Sequence, residues 1–311
     1  MKHPEHWLGH EGIRRMLTTA FQQNRLSHGY IFDGPAGIGK RSTALWMAAL
    51  LFCEAREKPC GQCPGCIRLM TDNHPDILVL EPEEGSLKNH QLEAFQAFLR
   101  VKPFMGPVRI GIMDDADTMT ASAQNRLLKT LEEPAAGTVL FLITTHARRL
   151  LPTVLSRCQV LRFQELPSDS IASYLANHYN VDRVRAARLA ELAGGSLAKA
   201  LTLTASETVS ETEALVEAWL AALDRGDRSA LFELADRYEK TIDWEQALTW
   251  LMQTLRERLM RAATEGASQE LGRLVRLGAR VEEALTALRE QANERIVIDV
   301  MLLRMQEDYY D

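Results

Sequence analysis

The stretch IFDGPAGIGKRST (residues 31–43) decides the fold. Gly34, Gly37 and Gly39 permit a tight turn whose backbone N–H groups point inward, and Lys40 closes it. Such a loop cradles phosphates when it joins a strand to a helix, because the helix presents its positive end to the same point. Both neighbours are present: GYIFDG (residues 29–34) is an apolar run stopped by glycine, and RSTALWMAALLFC (residues 41–53) is rich in helix-favouring residues. A nucleotide-binding α/β domain is the expectation. One position departs from the pattern. After the lysine a Ser or Thr hydroxyl ordinarily steadies magnesium, and here Arg41 stands in its place. Ser42 comes one residue late, which on a helix turns its side chain about 100° away. Binding and hydrolysis therefore separate as expectations: the loop is intact, the metal position is altered, and fast hydrolysis is not expected.

Outward from the loop, DILVLEP (residues 76–82), PVRIGIMDDAD (residues 107–117) and TVLFLITT (residues 138–145) are apolar strand candidates. Between them, HQLEAFQAFLR (residues 90–100) and ASAQNRLLKTLEE (residues 121–133) carry helical spacing. Strand–helix alternation of this kind predicts a parallel sheet covered by helices on both faces. Asp114, at the end of the second of these strands, is placed to hold magnesium through water, and Asp115 stands where a longer glutamate would orient the attacking water. Asp117 is expected only to cap the next helix. After VLRFQELP (residues 160–167) the strands stop. A small helical unit follows, with Ser168 or Asp169 as its cap and Gly194-Gly195 interrupting its middle. Beyond the polar stretch TASETVSET (residues 204–212) the chain is helical throughout. The organisation predicted is an α/β domain over residues 1–165, a helical unit over 166–205 and a helical bundle over 206–311.

Net charge is −6 with a pI near 5.8, so the 311-residue chain as a whole is no electrostatic magnet for nucleic acid. The segment LRERLMRAATEGASQELGRLVRLGAR (residues 255–280) holds several arginines, but its interspersed glutamates read as a solvated helix face. No apolar run approaches the eighteen or so residues that span a bilayer, and MKHPEHWLGHEG at the N-terminus lacks a signal-peptide core. A cytoplasmic protein without membrane partners is expected. Of five cysteines, Cys60, Cys63 and Cys66 share C-x2-C-x2-C spacing, which in a reducing compartment points to metal. Tetrahedral zinc requires a fourth ligand: Cys53 is the first choice and His74 the second, within a module spanning residues 53–74. All-thiolate ligation would make the site structural. Cys158 stands apart and is expected in the core.

The motifs GYIFDGPAGIGK, CGQCPGC, HPD, DDAD, NRLLKTLEEP (residues 125–134) and LPTVLSRCQ (residues 151–159) follow one another in that order. Together they resemble the AAA+ subunits of the bacterial clamp loader, which places the sliding clamp on DNA for DNA polymerase III. The resemblance spans about residues 1–205, and the helical remainder is compatible with the family's collar domain. It implies a P-loop AAA+ domain with a zinc module, a lid and a collar. Within the family the ATPase motor (gamma/tau) carries threonine after the lysine, an Asp-Glu pair and a phosphate-sensing arginine in the lid. Here those positions read Arg41, Asp114-Asp115, and Ala198 beside Lys199. With all of these altered together, the chain resembles the delta-prime kind of subunit, a stator of the polymerase holoenzyme that is not an ATPase alone; a gamma/tau-like motor is the alternative. The resemblance further implies that Arg157, in the Ser-Arg-Cys motif, acts as an arginine finger on the neighbouring subunit's ATP, and that Thr144 and Thr145 fall in the sensor region. Nucleotide contacts are implied for Gly34, Gly37, Gly39, Lys40, Arg41, Ser42, Asp114, Asp115 and Thr145. The implied cofactors are structural zinc and ATP or ADP in the loop, with magnesium poorly placed. The implied partners are gamma/tau and delta in a hetero-oligomeric ring, the sliding clamp, and primer-template DNA mainly through the complex.

Overall fold

The computed structural model describes residues 7–83, 85–239 and 241–310, so residues 1–6 of the N-terminal reading lie outside it. The strand before the glycine loop is β1 (Gly29–Asp33), and it lies inside a five-stranded sheet. The others are β2 (Ile77–Leu80), β3 (Arg109–Met113), β4 (Thr138–Thr144) and β5 (Gln159–Arg162). Their order is β2-β3-β4-β1-β5, and every neighbouring pair is parallel. Parallel strands covered on both faces read as continuous apolar runs, and β4 is buried along its whole length for that reason.

The two faces divide by residue parity. Tyr30, Phe32, Ile110, Ile112, Phe141 and Ile143 pack with α2 (Lys40–Phe52), while Ile31, Met113, Leu140 and Leu142 pack with α4 (Asn89–Arg100) and α5 (Ala121–Glu132). Between α2 and α4 the chain forms α3 (Pro64–Met70), and α1 (Glu11–Gln22) precedes β1. Because Asp33 pairs with Thr144 and Leu80 with Met113, the loops after β1, β2, β3 and β4 leave the sheet at one edge. That edge carries the candidate site. The segment α6 (Pro152–Leu155) runs into β5 from the opposite edge.

Two of the expected caps are placed differently. Thr120 caps α5, its hydroxyl accepting the Ala123 N–H, so Asp117 is free for another role. Ser168 and Asp169 both fall inside the first turn of α7 (Ser168–Tyr179). Of TASETVSET, only Ala205 and Ser206 break the helical chain; the remainder opens α10 (Glu207–Arg225).

The chain separates into two compact units, one made of residues up to 174 with 194–199, the other of 175–193 with 200–311. Among its described residues the second carries helices only: the end of α7, α8 (Arg183–Ala193), most of α9 (Leu197–Thr204), α10, α11 (Arg228–Tyr238), α12 (Trp244–Glu265), α13 (Ser268–Arg289) and α14 (Glu294–Tyr310). Its core stacks Trp219 on Trp244 with ring centres 6.0 Å apart, and Trp219 Nε1 donates to the Leu231 carbonyl at 3.1 Å. Arg188 on α8 grips Glu257 on α12 through Nε at 3.1 Å and Nη2 at 2.6 Å.

Candidate functional site

The glycine loop is built by close approach. A Cβ at Gly37 would run into Ser196 and Ala198, and one at Gly34 into the Phe163 carbonyl. Gly39, in the left-handed region at φ 103°, starts α2. Lys40 is nearly buried, and its ammonium donates to the carbonyls of Gly34 and Pro35 at 2.5 Å each. Burial lowers its pKa, while Asp114, Asp115, Asp33 and Asp117 pull it back up. The lysine thus closes the loop on its own backbone. His10, which the sequence did not single out, braces the loop by hydrogen bonding the Ile38 carbonyl at 2.8 Å with its ring against Phe163. Twenty-eight residues separate His10 from Ile38, and no motif marks the pair.

Arg41 bends across the edge of the sheet. Its guanidinium pairs with Glu81, just past the end of β2, and approaches Asp114 Oδ2 at 3.5 Å. It therefore lies against the carboxylate expected to hold magnesium. Burial raises the Asp114 pKa, the Asp115 charge adds to the effect, and Arg41 opposes it. Ser42 is exposed, as its helical offset predicts. Asp115 is also exposed and starts a short 3-10 turn in the left-handed region at φ 45°. Asp117 caps nothing: its nearly buried carboxylate accepts the Thr144 hydroxyl at 2.7 Å and faces His146 and Arg149. Thr144 is thereby committed to Asp117, whereas the Thr145 hydroxyl meets His146 Nδ1 at 2.8 Å. The Ala198 N–H donates to the Gly37 carbonyl at 3.0 Å, which lays the start of α9 directly on the loop. Lys199 beside it is exposed.

The cysteines form a separate cluster. Cys53 ends α2, Cys63 starts α3, and Cys66 lies within α3. The Sγ atoms of Cys53, Cys60, Cys63 and Cys66 all lie within 4.8 Å of one another. Zinc–sulfur bonds of about 2.3 Å in a tetrahedron set sulfur separations of about 3.8 Å. Cys63 and Cys53 are 3.9 Å apart, so the donor set fits a closed zinc site. Backbone N–H groups of Gln62 and Cys63 bring the Cys60 thiol down to about 6, while burial pushes Cys66 up to about 12. His74 is turned away: its ring lies 4.0 Å from that of Phe52, and Nδ1 accepts the Asp76 N–H at 3.2 Å. Cys158 is half-buried against the core, its thiol pushed up to about 12 by burial.

Arg157 lies elsewhere. It follows α6 and precedes β5, whereas the glycine loop follows β1, with Tyr30 level with Gln159 and Asp33 level with Arg162. The loop and Arg157 are at opposite ends of two adjacent strands, separated by roughly 10 Å of strand. The guanidinium pairs with Glu132 at 2.7 Å and donates to the Thr153 carbonyl at 3.0 Å and Ser156 Oγ at 3.3 Å.

The family model described as DNA polymerase III, delta subunit, matches residues 9–167. The chain is 35% identical to DNA polymerase III subunit delta' of Bacillus subtilis over 227 residues, which cover 73% of this chain and 68% of that protein. It is 42% identical to subunit delta' of Pseudomonas aeruginosa over 136 residues, 42% of each chain. It is 30% identical to subunit tau/gamma of Haemophilus influenzae over 204 residues, 63% of this chain and 30% of that protein.

Proposed function

The chain belongs to the DNA polymerase III delta-prime family of AAA+ clamp-loader subunits, and from that premise we propose that it serves as a largely non-hydrolysing stator of the loader. The observation that carries the reading is Arg41 lying against Asp114. A guanidinium holds its charge at every working pH, so it offsets the carboxylate permanently and would repel an ion held beside it. Lys40 spends its donors on the loop's own carbonyls, and Asp115 has a shorter reach than the glutamate that orients water. These features support a loop kept for its architecture, with ATP or ADP uptake slight in the free chain and magnesium poorly held.

Arg157 supplies the subunit's contribution to catalysis. It lies at the end of the strands opposite its own loop, which supports a role on a neighbour's nucleotide. Its planar cation would neutralise charge spreading over phosphate oxygens as the bond breaks. The cysteine cluster would hold zinc, which as a closed site braces the α2–α3 connection without taking part in the reaction. Partners in this reading are gamma/tau and delta in a ring, the sliding clamp, and primer-template DNA held by the whole complex, in the cytoplasm. Among the described residues no helix is long and apolar enough to cross a membrane. Residues 166–205 would form the lid and 206–311 the collar that joins the ring.

The test combines turnover and reconstitution. The purified chain is expected to show negligible steady-state ATP hydrolysis, and clamp loading by gamma/tau, delta and clamp is expected to depend on adding it. Motor-like turnover abolished by Lys40→Ala would transfer the chain to the gamma/tau reading.

A further inference from the structure

We propose that Glu132 is the positioning residue of Arg157, a latch that keeps the guanidinium on its own subunit until a neighbour's phosphates compete for it. The inference rests on the finger reading above. Three contacts hold the guanidinium: the Glu132 carboxylate at 2.7 Å, the Thr153 carbonyl at 3.0 Å and Ser156 Oγ at 3.3 Å. The last two belong to the turn that carries Arg157 itself. Glu132 comes from another element, 25 positions earlier in the chain, and among the described residues it is the one of these contacts that brings opposite charge.

The place of Glu132 is informative. It is the last residue of α5, where unsatisfied carbonyls make the helix end negative and a carboxylate is disfavoured. Glu133 follows and adds a second negative charge. A cation at this point offsets both, so the helix end and Arg157 stabilise each other. The side chains are 49% and 35% exposed, so the pair is screened by water and opens readily. Such a contact orients a finger in the free subunit without trapping it. When a phosphate arrives, the carboxylate 2.7 Å from Nη2 opposes the same negative charge the finger must stabilise. Full engagement therefore requires Arg157 to leave Glu132, and docking of the neighbour supplies that exchange of one anion for another.

Glu132→Gln keeps the shape and removes the charge. In the full chain alone, phenylglyoxal labelling of Arg157, followed by peptide mass spectrometry with other arginines as internal reference, is expected to rise about two- to fivefold, the range of an exposed ion pair. Unchanged or slower labelling overturns the latch. In the reconstituted loader without clamp or DNA, Glu132→Gln is expected to raise basal ATP hydrolysis by a similar factor, and Arg157→Ala to lower it. The double variant is expected to match Arg157→Ala. A normal loss in Arg157→Ala with no gain in Glu132→Gln overturns the latch and leaves the finger standing. No loss in Arg157→Ala overturns the finger, and the latch's purpose with it.

Discussion

Replacing Arg41 by threonine should return metal dependence to the glycine loop. The guanidinium stands 3.5 Å from Asp114 Oδ2, so an ion placed by Asp114 would meet it at about 4 Å. Repulsion between a divalent ion and a guanidinium at that distance is about 2 kcal/mol in a water-like dielectric and several-fold more at lower dielectric. Arg41 is 42% exposed, so the screened value is the appropriate one. About 2 kcal/mol corresponds to roughly 30-fold in affinity. Magnesium should accordingly raise ATP affinity about 30-fold more in the full chain carrying Arg41→Thr than in the natural chain. Calorimetric titration of ATP with and without magnesium reads the difference directly. Turnover should stay negligible in the variant, because Asp115 still lacks the reach to orient water. A variant equally indifferent to magnesium would show that Arg41 is not what excludes the ion.

Zinc content should be close to one per chain by elemental analysis and should be lost in Cys63→Ser, with a fall in melting temperature; a metal-free natural chain of equal stability would refute the assignment. Asp76, fully buried, accepts backbone N–H groups from Phe104, Met105 and Gly106 at 2.6, 2.7 and 3.0 Å and faces Arg109, so Asp76→Ala should cost about 3–5 kcal/mol by urea unfolding. Burial alone would raise the pKa of that carboxyl, but those donors and Arg109 hold it below the usual range. The stability it supplies is then complete above the ordinary carboxylate range and fades as acid titrates through the lowered native value, which denaturation series between neutral and strongly acidic pH can follow. Arg188→Ala removes the paired hydrogen bonds to Glu257, and loss of about 1–3 kcal/mol from the helical unit is expected; an unchanged unfolding midpoint would argue against that contact.

Much of the α/β unit was legible because a covered parallel strand has no choice but to be apolar on both sides, as TVLFLITT is. The cysteines were legible for a similar reason: three thiols crowded into seven residues have little freedom but to converge, and Cys53 joins them from the end of α2. What escaped were pairings across the sheet. Arg41 meets Glu81 forty positions on, and which carboxylate stands at that edge depends on strand order, which no periodicity encodes. Asp117 read as a cap because it precedes a helix, yet Thr120 is nearer the first turn and β4 offered the aspartate a hydroxyl. TASETVSET read as a polar stretch ahead of the helical remainder because its side chains are polar, although helix formation there is decided by what the rest of α10 buries.

Parallel strands give the α/β unit a head and a tail: the glycine loop at one end and Arg157, folded onto Glu132, at the other. If the proposed finger acts on a neighbour, units of this kind would queue, each serving the one ahead, and such a line would close into a symmetric circle if every receptacle were open. On the function proposed above, a member whose Arg41 lies against its own Asp114 would serve a neighbour without being served. Wherever it joined, the queue would acquire a first place, and events within the ring would acquire an order.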